Sequence, residues 1–237
     1  MHNGPREPTF AQRFCQDPTA VDAILFQDWG TRDAQRGWLA AGIEEQIAAS
    51  LEGWRGSAVL AEWGYARNQA FPLLIPGHAY CDAEHTRRGA WRGAMSGLGI
   101  IHGFENSWGP FLLLEEDQEG LAYLLLLRRF FREVAPFQTL RPAPELLLEP
   151  TAYPQGARPL ALASPGRETI VAYLPVGGTV GFTVDLEGYQ ARWFSPVTGE
   201  LQAAQVAGRT ATAPDRLHAN NPQDWALVLT REGEATE

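Results

Sequence analysis

Three short apolar runs, each followed by a stretch with helical character, constrain this chain more than any other feature. They are Ala23–Gln27 in "AVDAILFQDWG", residues 57–64 in "SAVLAEWG", and residues 98–104 in "LGIIHGF". The second is continuous rather than alternating, as a strand must be when its sheet is covered on both faces. After the first run, "QRGWLAAGIEEQIAASLEGW" sets Trp38, Leu39, Ile43, Ile47 and Leu51 at helical spacing. After the second, "DAEHTRRGAWRGAMSG" predicts a helix capped by Asp82, with Glu84 and Arg88 one turn apart. After the third, "EGLAYLLLLRRFFREV" predicts a long helix. Strand, helix, strand, helix, strand, helix is the order of a parallel sheet or a (β/α) barrel, because parallel neighbours need a crossover.

Near residue 150 the pattern changes. "RPAPELLLEPTAYPQG" (141–156) is proline-rich and reads as a linker. Beyond it, β-type runs at Leu160–Ala163, Thr169–Leu174, Thr179–Asp185, Tyr189–Phe194 and Trp225–Thr230 are separated by Gly, Pro and Asp. "SPVTGE" supplies a turn after the fourth run. Several short strands with turns between them indicate an antiparallel β-sandwich. The expected organisation is therefore α/β plus all-β, with a first domain over 1–147 and a β-sandwich over 148–237.

With 237 residues and a net charge of −9, the chain is long enough for a substantial core and lacks the basic balance that nucleic acid or an anionic membrane would attract. "GLAYLLLLRRFF" is too short and too charged to span a bilayer, and "MHNGPREPTF" has no apolar run, so no signal peptide is expected here. Cys15 and Cys81 either pair or stay as free thiols. No Cys/His spacing indicates a metal site, "GLGIIHG" lacks the phosphate-loop fingerprint, and there is no G-x-S-x-G elbow. Nothing points to a cofactor.

In parallel α/β folds the chemistry gathers where strands end, because the following loops converge there. The first run ends on Gln27, Asp28 and Trp29; the second on Glu62, Trp63 and Tyr65; the third on His102, Glu105 and Trp108. Each alone has an ordinary explanation. Glu62 and Glu105 could be solvated or capping acids, His102 a structural histidine, and Trp108 a packing residue. Glu84, His85, Arg87 and Arg88 read as a solvated or ion-paired helix face. Together the three ends set carboxylates beside aromatic rings, which suits a sugar: rings stack on its C–H faces while carboxylates act as acid, base or nucleophile.

The stretch "RRGAWRGAMSGLGIIHGFENSWGP" (Arg87–Pro110) resembles the helix, small-residue turn and final barrel strand of apiosidase-like glycoside hydrolases. "AVLAEWGY" is similar to that family's seventh-strand segment, "HNG" and "AILFQDWG" to its sixth-strand region, and "ARWFSPVTGE" and "DWALVL" to motifs of the small β-sandwich that follows. The resemblance implies a (β/α)8 TIM-type barrel, of which this chain carries about the last three βα units, followed by the sandwich. It implies that Glu62 is the catalytic nucleophile and that the substrate is an oligosaccharide or polysaccharide. Where the family shows Gln-Ser-Gly-His, this chain has Gln27-Asp28-Trp29-Gly30, without the histidine.

A closed barrel needs about 250 residues, more than 1–147 provides. The general acid/base of such barrels stands on an earlier strand, so the expected partner is a missing N-terminal barrel half, without which turnover should be weak or nil. The alternative is a non-catalytic carbohydrate-binding or scaffold remnant of the same fold. Trp193 and Trp225 lie in strand patterns and are expected in the sandwich core rather than on a sugar-binding surface.

Overall fold

The computed structural model describes residues 2–3, 21–28, 51, 54, 56–63, 82–102, 119–148, 157–218 and 221–231. Internal contacts divide the chain into two compact units, Met1–Leu124 and Leu125–Glu237.

The first unit holds four strands, β1 (His2–Asn3), β2 (Ala23–Asp28), β3 (Ser57–Trp63) and β4 (Gly99–Ile100), all parallel and ordered β1-β2-β3-β4. Ile24 and Leu60, in the middle of the sheet, are fully buried. The helix expected between β2 and β3 lies outside the described residues.

Helix α1 (Ala83–Met95) starts where Asp82 caps it: Asp82 Oδ1 accepts from the His85 backbone N–H at 3.0 Å and lies 2.8 Å from His85 Nδ1. It ends at Ser96, with Gly97 following at φ 83°, a conformation glycine adopts without strain. Two glycines one turn apart let α1 lie on the sheet. The Trp63 ring fills the space a Cβ on Gly89 would take. On Gly93 a Cβ would come within 2.7 Å of Ile100 Cδ1 and 3.2 Å of Leu60 Cδ2.

Leu60 and Trp63 both face α1 although they are three residues apart in one strand. The reason is a bulge: Phe26 pairs with Leu60 but Gln27 pairs with Glu62, leaving Ala61 as the extra residue. One inserted residue reverses the side-to-side alternation beyond it.

Helix α2 (Glu119–Arg129) begins in the first unit, where a Cβ on Gly120 would lie 3.0 Å from Thr86, and runs into the second. There it widens into a π turn (Phe130–Val134), closed by Ala135 N–H donating to the Phe130 carbonyl at 3.0 Å. Phe130 is fully buried, 4.9 Å from the Phe194 ring, and Gly199 gives Leu126 room at the "SPVTGE" turn.

The second unit is built on antiparallel pairing. Its six-stranded sheet has the order β10-β9-β15-β7-β6-β5, with β5 Arg141–Pro142, β6 Leu160–Ala163, β7 Thr169–Leu174, β9 Gln190–Phe194, β10 Leu201–Ala203 and β15 Trp225–Thr230. A three-stranded sheet joins β8 (Thr179–Gly181), β11 (Val206–Ala207) and β12 (Thr210–Thr212); β13 (Leu217–His218) and β14 (Asn221–Pro222) form a hairpin. The two larger sheets share one core: Ile170, Ala172 and Leu227 from one meet Val180 and Ala211 from the other. Trp193 and Trp225 are buried in it, edge to face at 6.4 Å, as their strand patterns predict.

β6, β7 and β15 fall on the expected residues. β8 stops at Gly181 rather than Asp185, because Thr183 N–H turns to the Leu146 carbonyl and Asp185 Oδ1 accepts from Glu187 N–H in a local turn. The proline-rich stretch differs more. Residues 141–147 are no free linker: Arg141–Pro142 pairs with β6, and Ala143 and Leu146 enter the core. Apolar burial overrides the proline signal there, and the contact division falls within α2, ahead of the boundary expected at 147/148. Residues 149–156 lie outside the described residues.

Candidate functional site

The ends of β2 and β3 lie side by side. Gln27 is in register with Glu62, and Asp28 with Trp63, immediately past the bulge. The neighbouring strand continues the ladder, with Ile101 N–H donating to the Leu60 carbonyl at 2.9 Å, and brings His102 to the same end of the sheet. The strand ends that carry five of the expected site residues, Gln27, Asp28, Glu62, Trp63 and His102, are thus adjacent. The side chains of Gln27, Asp28 and Glu62, and the whole of Trp29, Tyr65, Glu105 and Trp108, lie outside the described residues.

Two expected site residues touch. The Trp63 and His102 rings are 4.8 Å apart at 55°. Trp63 Nε1–H donates to the Ile101 carbonyl at 2.9 Å, fastening the end of β3 to the chain leaving β4. Trp63 is only 2 % exposed, so in this arrangement its ring offers a ligand no open face. Burial pushes His102 down to about 4, which keeps the imidazole neutral near pH 7.

Of the two characters expected of the charged cluster of α1, solvated or ion-paired, it has the second. Its ion pairs are present, but the face is not solvated: Arg87 and Arg88 are buried, and Glu84 is 7 % exposed. Arg87 grips Glu84 with both terminal nitrogens, Nη2 to Oε2 at 2.6 Å and Nη1 to Oε1, while Arg88 Nη2 lies 3.2 Å from Oε2. Arg87 also stands 4.7 Å above the Tyr123 ring of α2. A carboxylate shared by two guanidinium groups is how buried charges are kept compensated. At the head of the helix, burial raises the Asp82 carboxyl, but its hydrogen bonds and charge interaction with His85 outweigh this and leave it below the usual range. The signal that α1 is buried on more than one side was the run of small residues, Thr86, Gly89, Ala90, Gly93 and Ala94.

The fold has counterparts. The chain is similar in structure to a glycoside hydrolase family 5 protein from Bacteroides vulgatus, with TM-score 0.70 and 18 % identity over 97 % of this chain and 54 % of that one. It is also similar to a second glycoside hydrolase, with TM-score 0.69 and 16 % identity over 98 % of this chain and 57 % of that one. The fold is therefore a glycoside hydrolase fold, and the chain spans a little over half the length of these structures. No family model matches the sequence, and no curated protein matches it. Likeness at this identity reaches the fold and does not single out the apiosidase-like type.

Proposed function

We propose that this chain supplies the C-terminal part of a (β/α)8 glycosidase barrel of the apiosidase-like type, with four of its parallel strands rather than the three expected, followed by a β-sandwich, and that its substrate is an oligosaccharide or polysaccharide. The observation that carries this reading is the bulge at Ala61. Leu60 and Trp63 pack on α1, so alternation gives register position 62 to the opposite face, which in a closed barrel is the interior. A carboxylate there, at the carboxyl end of a strand, stands where barrel enzymes keep their chemistry.

On this reading Glu62 attacks the anomeric carbon while a carboxylic acid from an earlier strand protonates the departing glycosidic oxygen. Water then releases the sugar from the glycosyl-enzyme, with the second group now acting as base. A separation of about 5–5.5 Å between the two carboxyl groups goes with this double displacement. Gln27, Asp28, Trp29, Tyr65, His102, Glu105 and Trp108 line the sugar site. Trp63 contributes from behind, by holding His102 and the end of β3 in place.

The test is Glu62→Gln in the barrel completed with its N-terminal half. Hydrolysis of aryl glycosides should fall by roughly a thousandfold or more, with oligosaccharide binding retained. Undiminished hydrolysis would remove Glu62 from the mechanism. The alternative reading is a non-catalytic carbohydrate-binding protein of the same fold. It predicts glycan-array binding by the chain alone, and no hydrolysis even in the completed barrel.

A further inference from the structure

The end of the sandwich where β15 begins carries a guanidinium group over the core. Trp225 is fully buried there. The Trp193 ring meets it edge to face at 6.4 Å, and the Arg216 guanidinium lies 5.5 Å from its centre. The backbone of Arg216 is fixed, since Gln223 N–H donates to its carbonyl at 2.9 Å at the base of the β13–β14 hairpin. Its side chain is held less firmly. Nη1 donates to Glu200 Oε2 at 3.4 Å and Nη2 to Gln202 Oε1 at 3.3 Å, both long contacts at the surface. Solvent screens such a pair, so it exchanges readily for other partners. The indole beneath also keeps a donor in hand: Trp225 Nε1–H is buried and finds no acceptor among the described residues, which is uncommon in a finished core. Arg216 therefore occupies a position that offers an aromatic face, a carboxylate acceptor and an amide acceptor. A flat cation with donors along its edge fits that set. So does a pyranose, with an apolar C–H face and hydroxyl donors around its rim.

We infer that Arg216 holds the place of a sugar, and that this end of the sandwich binds one pyranose unit of a neutral oligosaccharide. The sugar turns the Arg216 side chain out to solvent, lays its C–H face on the Trp225 indole and donates hydroxyl hydrogens to Glu200 and Gln202. With Arg216 turned away, the Glu200 carboxylate repels an acidic sugar, so a uronic acid is disfavoured. The inference rests on the reading of the protein as sugar-acting for its ligand class. It adds a site in the second unit, built from none of the residues assigned to the barrel.

The experiment titrates the full chain by calorimetry with xylohexaose, cellohexaose and mannohexaose, and with a galacturonate hexamer as the acidic counterpart. A neutral hexamer should bind, and the acidic one at least about tenfold more weakly. Glu200→Ala with Gln202→Ala should weaken binding of the neutral hexamer at least about tenfold. Arg216→Ala removes the competitor for the indole and should tighten binding about threefold or more. A direct Arg216–sugar contact, or an Arg216 that merely caps the core, gives the opposite or no change. Arg192→Ala, an exposed residue that alternation sets on the other face of β9 from Trp193, should leave binding unchanged. Circular dichroism checks that each variant is folded. No binding of any neutral hexamer, tighter binding of the acidic one, or no tightening by Arg216→Ala would overturn the proposal. Binding lost in Tyr65→Ala with Trp108→Ala, but indifferent to the Glu200 and Gln202 changes, would put the sugar in the barrel alone and overturn this inference while sparing the proposed function. Binding that follows the sandwich variants, in a protein whose completed barrel cleaves no glycoside, leaves the Trp225 site standing and counts against the catalytic reading alone.

Discussion

At one rim of the antiparallel unit stands β5, Arg141 and Pro142, both exposed; at the rim of the parallel unit stands β4, Gly99 and Ile100, both half-buried. Proline cannot donate to an incoming strand, and a charged neighbour resists being covered, so β5 ends its sheet. At the opposite rim of that sheet, Gln202 of β10 and Glu200 beside it are engaged by Arg216, at 3.3 and 3.4 Å. Among the described residues, β4 carries neither a proline nor a charge at its rim. Hairpins let an antiparallel sheet close its own core within about a hundred residues, as the shared core of the second unit shows. Parallel strands must each bring a crossover and a cover, so they close a core only over a longer stretch of chain. The two sheets thus differ in how their described rims are finished.

The largest effect should come from striking the self-sufficient half. Leu227 is fully buried in the central strand β15, between β7 and β9. Leu227→Ala should cost about 2–5 kcal/mol through lost burial and the cavity left behind. Exchange at β7 and β15 should quicken while exchange at β4 hardly changes. Equal quickening in both units would mean that they unfold as one body and would break the comparison.

Next comes acidity. His102 titrates at about 4 in the fold, against an ordinary value of 6.5, because burial disfavours its charged form. The unfolded chain therefore binds more protons between those values, and stability falls as pH drops from 6.5 towards 4, by up to about 3 kcal/mol. Asp82, held below its usual range, loses its contribution only at lower pH. Thermal melts of the first unit should show the loss, and His102→Gln should flatten it between pH 4 and 6.5. A flat profile in the parent chain would remove the buried imidazole from the account.

Gly89→Ala should be smaller and is decided by two opposed terms. Alanine gains up to about 1 kcal/mol of helix propensity over glycine. The new methyl group would, however, meet the buried Trp63 ring, and overpacking of this kind costs about 1–3 kcal/mol. The net change should be a loss of about 1 kcal/mol, read by chemical denaturation. A gain would show that Trp63 can shift and that its hold on Ile101 is loose.

The sequence exposed the parts that local chemistry decides. The apolar run of β3, the Asp82 cap, the Glu84–Arg88 spacing and the strands β6, β7 and β15 could be read directly. Long-range packing decides the rest. Nothing local says that Ala61 bulges, because the extra residue is defined only against the register of β2. Nothing local separates a solvated Arg87 from a buried one; the small residues around it hinted at burial, but the ring of Tyr123 arrives from 36 positions away. The proline-rich 141–147 misled because Ala143 and Leu146 belong to a core assembled from strands further along the chain. Of the candidate site, the strand-end logic placed the β2, β3 and β4 termini together, but not the turning of Trp63 into the protein.

The smallest expected effect tests what the edge charges of the second unit do. Arg216 is 45 % exposed and reaches Glu200, itself 51 % exposed, at 3.4 Å. Such a pair gains little in water, since solvent screens it and two long side chains must be ordered to make it; Arg216→Ala should shift stability by under about 1 kcal/mol. If β10 is guarded by charge rather than held by it, the variant should keep its melting temperature nearly unchanged. Its tendency to associate should change little too, because Glu200 and Gln202 remain to discourage an incoming strand. A loss of several kcal/mol would mean that Arg216, whose guanidinium also lies 5.5 Å from the buried Trp225 ring, pins the core from outside. The finished edge would then owe its character to packing, and the contrast with β4 would have to be drawn from the helix cover alone.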